Sequence, residues 1–168
     1  DDCTSLVEAP VLPATTLADW CYYAMFSGCS SLIKVPSVLH ATTLADYCYY
    51  SMFYSCESLV KAPLILPATT LAVSCYYAMF YNCTSLVEAP ELPAATLVGS
   101  CYYNMFNGCS SLSYIKMMAT DISSTSNLTS WVSGVSSTGT FVKNTAMTSL
   151  PTGISGIPEG WTVEDASS

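Results

Sequence analysis

The chain has no arginine, four lysines and one histidine, His40, against twelve acids in 168 residues. The formal charge of −8 repels a phosphate backbone, which excludes nucleic acid as an expected partner. Charged residues make up 10 % of the chain, far below the roughly 25 % of an average globular domain. That shortage does not imply disorder, because 51 % of the residues are hydrophobic and there is ample apolar surface to bury. Long apolar runs are missing too. Pro, Ser, Thr or a charge interrupts every few positions, and no stretch approaches the roughly 18–20 residues of a membrane span. The chain opens on Asp1-Asp2-Cys3, already inside a repeated unit and without a leader, so the expectation is that an upstream segment was removed.

What the chain has is repetition. Cys3, Cys29, Cys56, Cys83 and Cys109 are spaced by 26, 27, 27 and 26 residues, and Cys21, Cys48, Cys75 and Cys101 keep the same rhythm. Leu6, Leu32, Leu59, Leu86 and Leu112 form a further column, as do Pro10, Pro36, Pro63 and Pro90. Leu17, Leu44, Leu71 and Leu97 follow, then Met25-Phe26, Met52-Phe53, Met79-Phe80 and Met105-Phe106. The one-residue length change falls between the proline and the next leucine column, Leu12-Pro13 against Leu39-His40, which marks an exposed bend. A period in the twenties means one supersecondary unit per repeat, each burying its apolar face on its neighbours.

Each unit divides in two. Ser5-Leu6-Val7-Glu8-Ala9 is short, partly β-branched and stopped by Pro10, as an edge-tolerant strand would be. From Leu17 to Cys29 the four-residue spacing of Cys21, Met25 and Cys29, with Tyr22 and Phe26 beside them, predicts a short helix or turn with its apolar side inward. Thr15-Thr16 or Asp19 can cap its start and Gly28 can end it. The expected fold class is therefore an α/β repeat. Residues 1–116 form a solenoid of about four and a half coils, and residues 117–168 form a β-rich cap over the last coil.

These columns resemble the BspA-like leucine-rich repeat proteins of bacterial surfaces. The resemblance rests on Cys-Thr-Ser-Leu-Val-Glu-Ala-Pro (3–10), then Ala-Thr-Thr-Leu, then Cys-Tyr-Tyr-Ala-Met-Phe-Ser-Gly-Cys (21–29), and covers about residues 1–116. The closing segment from Gly139-Thr140-Phe141 to Gly156-Ile157-Pro158-Glu159-Gly160-Trp161-Thr162-Val163 also looks like an end segment of such proteins. The resemblance implies a right-handed solenoid, secreted or anchored at the surface of a Bacteroidetes-like bacterium, with a role in adhesion to host matrix or to other cells. The proline-rich bend and doubled tyrosine set this chain apart as a 26–27-residue variety.

Nine cysteines invite metal or disulfide readings. Zinc sites want tight pairs such as C-x₂-C, and the spacings here are eight and eighteen or nineteen. On a helix Cys21 and Cys29 would stand roughly 12 Å apart, too far for a disulfide. The expected state is buried thiols acting as small hydrophobes. No metal and no cofactor is expected. His40 replaces a proline at the bend and has no acid or nucleophile in register, so a catalytic set cannot be assembled and no enzyme is expected. Asn82-Cys83-Thr84 and Asn127-Leu128-Thr129 match the N-glycosylation pattern.

Two surfaces can carry binding. Eight of the twelve tyrosines sit in adjacent columns. Consecutive helical residues point about 100° apart, so Tyr22 and its equivalents are expected inward. Tyr23, Tyr50, Tyr77 and Tyr103, joined by Tyr54 and Tyr81, are then expected outward as an aromatic stripe that binds a partner or packs on itself. On the strand half, Glu8, Lys34, Lys61 and Glu88 form a charged column, and Val11, Ser37, Leu64 and Glu91 a variable one beside it. The expected function is a non-catalytic extracellular or cell-surface module that binds a protein or glycan on host or neighbouring cells. The alternative is a structural spacer or filament element that binds other copies of itself end to end.

Overall fold

The computed structural model describes residues 3–167; Asp1, Asp2 and Ser168 lie outside them. Successive 26–27-residue segments lie one on another. The Ala9 N–H donates to the Lys34 carbonyl, Leu17 to Thr43, Tyr22 to Cys48, Tyr49 to Cys75 and Tyr76 to Cys101, all within 2.9–3.1 Å. The columns seen in the sequence are thus columns in space. Leu32, Leu59, Leu86 and Leu112, Met52, Met79 and Met105, and Phe53, Phe80 and Phe106 are all buried in one continuous core. The phenylalanines stack at centroid separations of 5.4–5.8 Å.

The segment 17–29 is not a helix. Among the described residues the only helix is one 3-10 turn, Thr125–Leu128. Odd-numbered N–H groups in the first coil close tight turns, Cys21 to Ala18, Tyr23 to Trp20, Met25 to Tyr22, Ser27 to Ala24 and Cys29 to Phe26. Even-numbered ones reach the next coil, Tyr22 to Cys48, Ala24 to Tyr50, Phe26 to Met52 and Gly28 to Tyr54. Every fourth residue has positive φ, as at Trp20, Ala24 and Gly28 and again at Tyr47, Ser51 and Ser55. These fall at the third position of their turns, where a type II turn requires φ above zero. A helix would spend every N–H within itself, whereas this ribbon shares half of them with its neighbour. Two residues point in and two point out, so Cys48, Tyr49, Met52, Phe53 and Cys56 are buried while Tyr50, Ser51, Tyr54 and Ser55 are not. Asp19 caps no helix either. Its carboxylate accepts the Asp46 N–H of the next coil at 3.1 Å, and Asp46 does the same for Val73 at 2.9 Å.

The strand half is minimal. Glu8 bridges Lys34, Lys61 bridges Glu88, and Glu88 bridges Tyr114, each as an isolated parallel bridge. Pro10, Pro36, Pro63 and Pro90 truncate these segments because proline has no N–H for a ladder. Lys116 holds the equivalent position in the following coil, and there a four-residue strand forms, β1 (Tyr114–Met117). Strands β2 (Thr140–Lys143) and β3 (Thr162–Asp165) join it in the parallel order β1-β2-β3.

Beyond Met117 the sequence columns fade, but the hydrogen-bond offset continues, with Asn104 N–H on the Thr129 carbonyl and Phe106 N–H on that of Trp131. Residues 118–143 therefore make another coil. The last stretch closes over it. Trp131 Nε1–H donates to the Gly156 carbonyl at 2.7 Å, Trp161 Nε1–H to that of Ser136 at 2.8 Å, and the Val132 N–H to that of Ile154 at 3.2 Å.

An L-residue held left-handed costs about 1 kcal/mol or more. Ala24, half-buried at φ 48, is expected to gain about 1 kcal/mol as Ala24→Gly. Gly108→Ala, at φ 80 with Asn82 Cα 3.3 Å from the added methyl, is expected to lose about as much or more. Paired urea melts read both.

Candidate functional site

The turn ribbon sets the phase of the doubled tyrosines. Tyr49, Tyr76 and Tyr102 are buried, while Tyr23 is 52 % exposed and Tyr50, Tyr77 and Tyr103 are half-buried at the surface. The outer rings stack face to face, with centroids at 5.4 Å for Tyr23–Tyr50, 4.4 Å for Tyr50–Tyr77 and 4.5 Å for Tyr77–Tyr103. Tyr54 and Tyr81 stack at 4.7 Å, and Trp20 lies on Tyr47 at 4.0 Å. Loss of water around Tyr77, followed by repulsion from Tyr50 and Tyr103, pushes its phenol up to about 12. Because each inner ring is covered on both faces, a partner meets ring edges and hydroxyls there. A sugar that needs an open aromatic face finds one only at the end of the row. Each stacked aromatic pair contributes about 0.5–1.5 kcal/mol. Tyr77→Ser removes two such pairs and is expected to destabilise by about 1–3 kcal/mol in a denaturant melt.

The strand half presents a different surface. Val7, Ile33, Val60 and Val87 form an outward column, each 45–49 % exposed. The charged and variable columns of the sequence draw the eye away from it, although the unbroken run of Val and Ile beside the charges is its signature. Glu8 and Lys34 pair at 3.5 Å and Glu91 and Lys116 at 3.1 Å. An exposed pair such as Glu8–Lys34 is worth at most about 1 kcal/mol. Lys61 faces Glu88 across a backbone bridge, and no ion pair joins them among the described residues. Val11, Ser37, Leu64 and Glu91 do not form one column. Glu91 bridges Ile65, and Ile65 bridges Val38, because the extra residue of the longer coils is inserted at Ser37 and Leu64. That insertion pushes Leu64 outward to 74 % exposure. A groove of about 330 Å³ runs beside it, lined by Ile33, Lys34, Val35, Ser37, Val60 and Lys61 among others.

Seven of the nine cysteines are buried in the core. No disulfide joins the described cysteines. Cys56, Cys83 and Cys109 each donate a thiol hydrogen bond, at 3.0–3.1 Å, to the carbonyls of Phe26, Phe53 and Phe80 in the coil before. This role is not visible in the spacing. Burial raises Cys48 and Cys101 to about 11 and Cys56 and Cys109 to about 12. Cys3 and Cys21, in the first coil, are exposed. Thiol reagents at neutral pH are therefore expected to modify Cys3 and Cys21 quickly and the seven buried thiols only on unfolding. An acid whose folded pKa is raised holds its proton after the unfolded chain has lost it. Stability is thus expected to be level below about pH 9 and to fall as pH rises above it, by up to about 1.4 kcal/mol per pH unit for each group. Melts between pH 7 and 11 check the sign.

His40 is exposed and no hydrogen bond or ion pair joins its ring to an acid among the described residues. No group of three or more His, Cys, Asp or Glu residues among them can hold a metal ion, and none of their helices is long and apolar enough to cross a membrane. No protein-family model, curated protein or solved structure matches the chain.

Proposed function

We propose that the chain is a non-catalytic interaction module of the leucine-rich-repeat kind, a right-handed solenoid working outside or on the surface of a bacterial cell. In this reading the strand face adheres to a protein on a host or neighbouring cell. The observation that carries it is the aliphatic column Val7, Ile33, Val60 and Val87, with Leu64 standing proud beside Lys61. Contiguous exposed apolar surface rimmed by charge is characteristic of protein contacts. The tyrosine row supports a glycan less well, because its inner faces are already stacked on one another.

The test is a matrix-protein and glycan array probed with two variants. Ile33→Ser, Val60→Ser and Leu64→Ser together are expected to lower protein binding at least tenfold, while Tyr54→Ser with Tyr81→Ser leaves it unchanged. Loss with the tyrosine variant alone, or no bound protein at all, overturns the reading. The alternative, a spacer or filament element stacking end to end, draws on the exposed first coil. Light scattering over a concentration series separates the two.

A further inference from the structure

The two ends of the stack are chemically different. In the turn ribbon each coil donates N–H groups forward to the carbonyls of the next. Those of Asp46, Cys48, Tyr50, Met52 and Tyr54 accept from the first coil, and those of Cys75, Tyr77, Met79 and Tyr81 accept from the second. In the first coil the equivalent carbonyls belong to Asp19, Cys21, Tyr23, Met25 and Ser27. No described residue donates to any of them. The side chains agree. Met25 is 47 % exposed where Met52, Met79 and Met105 are fully buried, and Cys21 is exposed where Cys48, Cys75 and Cys101 are buried.

At the other end two of the equivalent donors are used. The Ser130 N–H is bonded to Ser155 Oγ at 2.9 Å and that of Val132 to the Ile154 carbonyl. The residues of the outer strand β3 are exposed, and it carries Glu164 and Asp165, the latter paired with Lys143. A second copy stacked head to tail would offer no free ribbon donors at these two positions, and would bring β3's acids toward the end that carries Glu8 and Asp19. Two first coils face to face would set acceptors against acceptors.

We infer that the first coil is an acceptor-lined docking surface for one further coil of the same turn ribbon, and not for a second copy of this chain. The occupant is defined by its chemistry. It donates alternate N–H groups at the ribbon spacing and presents inward pairs such as Cys-Tyr and Met-Phe to Cys21, Tyr22, Met25 and Phe26. Every internal junction is this same contact already made. The inference rests on the stacking geometry alone and is independent of the strand-face reading.

The experiment fuses a copy of residues 27–53 directly ahead of Asp1 in the full chain, which keeps the register because Asp1 follows Phe53's copy as Tyr54 follows Phe53. The rate of Cys21 alkylation, mapped by mass, is expected to fall at least tenfold relative to the parent chain, and a scrambled 27-residue segment is expected to leave it unchanged. Met25→Asp is expected to leave the melting temperature of the parent nearly unmoved, since the side chain is exposed, and to lower that of the fusion. Unaltered Cys21 alkylation, equal protection by the scrambled segment, or a Met25→Asp effect equal in both proteins overturns the inference. So does a concentration-dependent head-to-tail oligomer of the parent.

Discussion

The structure depends on how the ribbon divides its backbone N–H groups, one closing a turn and the next reaching the neighbouring coil. A buried backbone donor left without an acceptor is costly, so this alternation constrains both the side-chain pattern and the way coils stack. Two-residue steps between turns bring side chains out in pairs, which gives the inward doublets Cys48-Tyr49 and Met52-Phe53. Lateral bonds at an offset of 26–27 residues place like residues over like, so aromatic rings stack and thiols meet the carbonyls of the coil before. Left-handed residues are needed at every fourth position, and the chain accepts that strain even at Ala24 and Ala78.

The period was legible because the cysteine, leucine and Met-Phe columns keep register over four or five units. The local conformation was less so. Over twelve residues a four-residue spacing and a 3.6-residue helix differ by only about 40° per step, and either brings Cys21, Met25 and Cys29 to one side. The residues between decide it. Ser51, Ser55, Ser74, Asn82, Ser100, Asn104, Gly28 and Gly108 occupy the fourth positions, a recurrence of turn-forming types that a helix interior disfavours. The shift at Ser37 and Leu64 was hidden for another reason. The column of Val11, Ser37, Leu64 and Glu91 takes the residue after each proline, and the Ile65–Glu91 bridge shows that in the longer coil this place holds the extra residue. The coil beyond Met117 keeps its hydrogen bonds with few of the repeat's side chains, so pattern alone could not mark it.

The same stacking decides which surface is left for a partner. On the ribbon side it consumes the tyrosine faces, and the conspicuous feature of the sequence becomes in large part internal packing. On the strand side, proline truncation leaves single bridges, and the valine and isoleucine column next to them is left about half exposed. A surface with few charges has little to spread over such a column. Glu8 and Lys34, which pair with each other, lie in the wall of the aliphatic groove.

Polarity is the remaining consequence. Because ribbon donors all point forward along the chain, a stack of such coils has an acceptor end and a donor end, and closing one does nothing for the other. Residues 151–157 occupy two donors of the donor end, with a hydroxyl and a carbonyl, and Trp131 anchors them from beneath through its indole N–H. The acceptor end holds Cys21, Tyr22 and Met25 in positions that the next three coils bury. Growth of the stack is thus directional, and the exposed Glu164 on β3 discourages edge-to-edge addition there. A filament of identical copies would require Ser155 and Ile154 to release the Ser130 and Val132 donors first, a cost the internal junctions never meet.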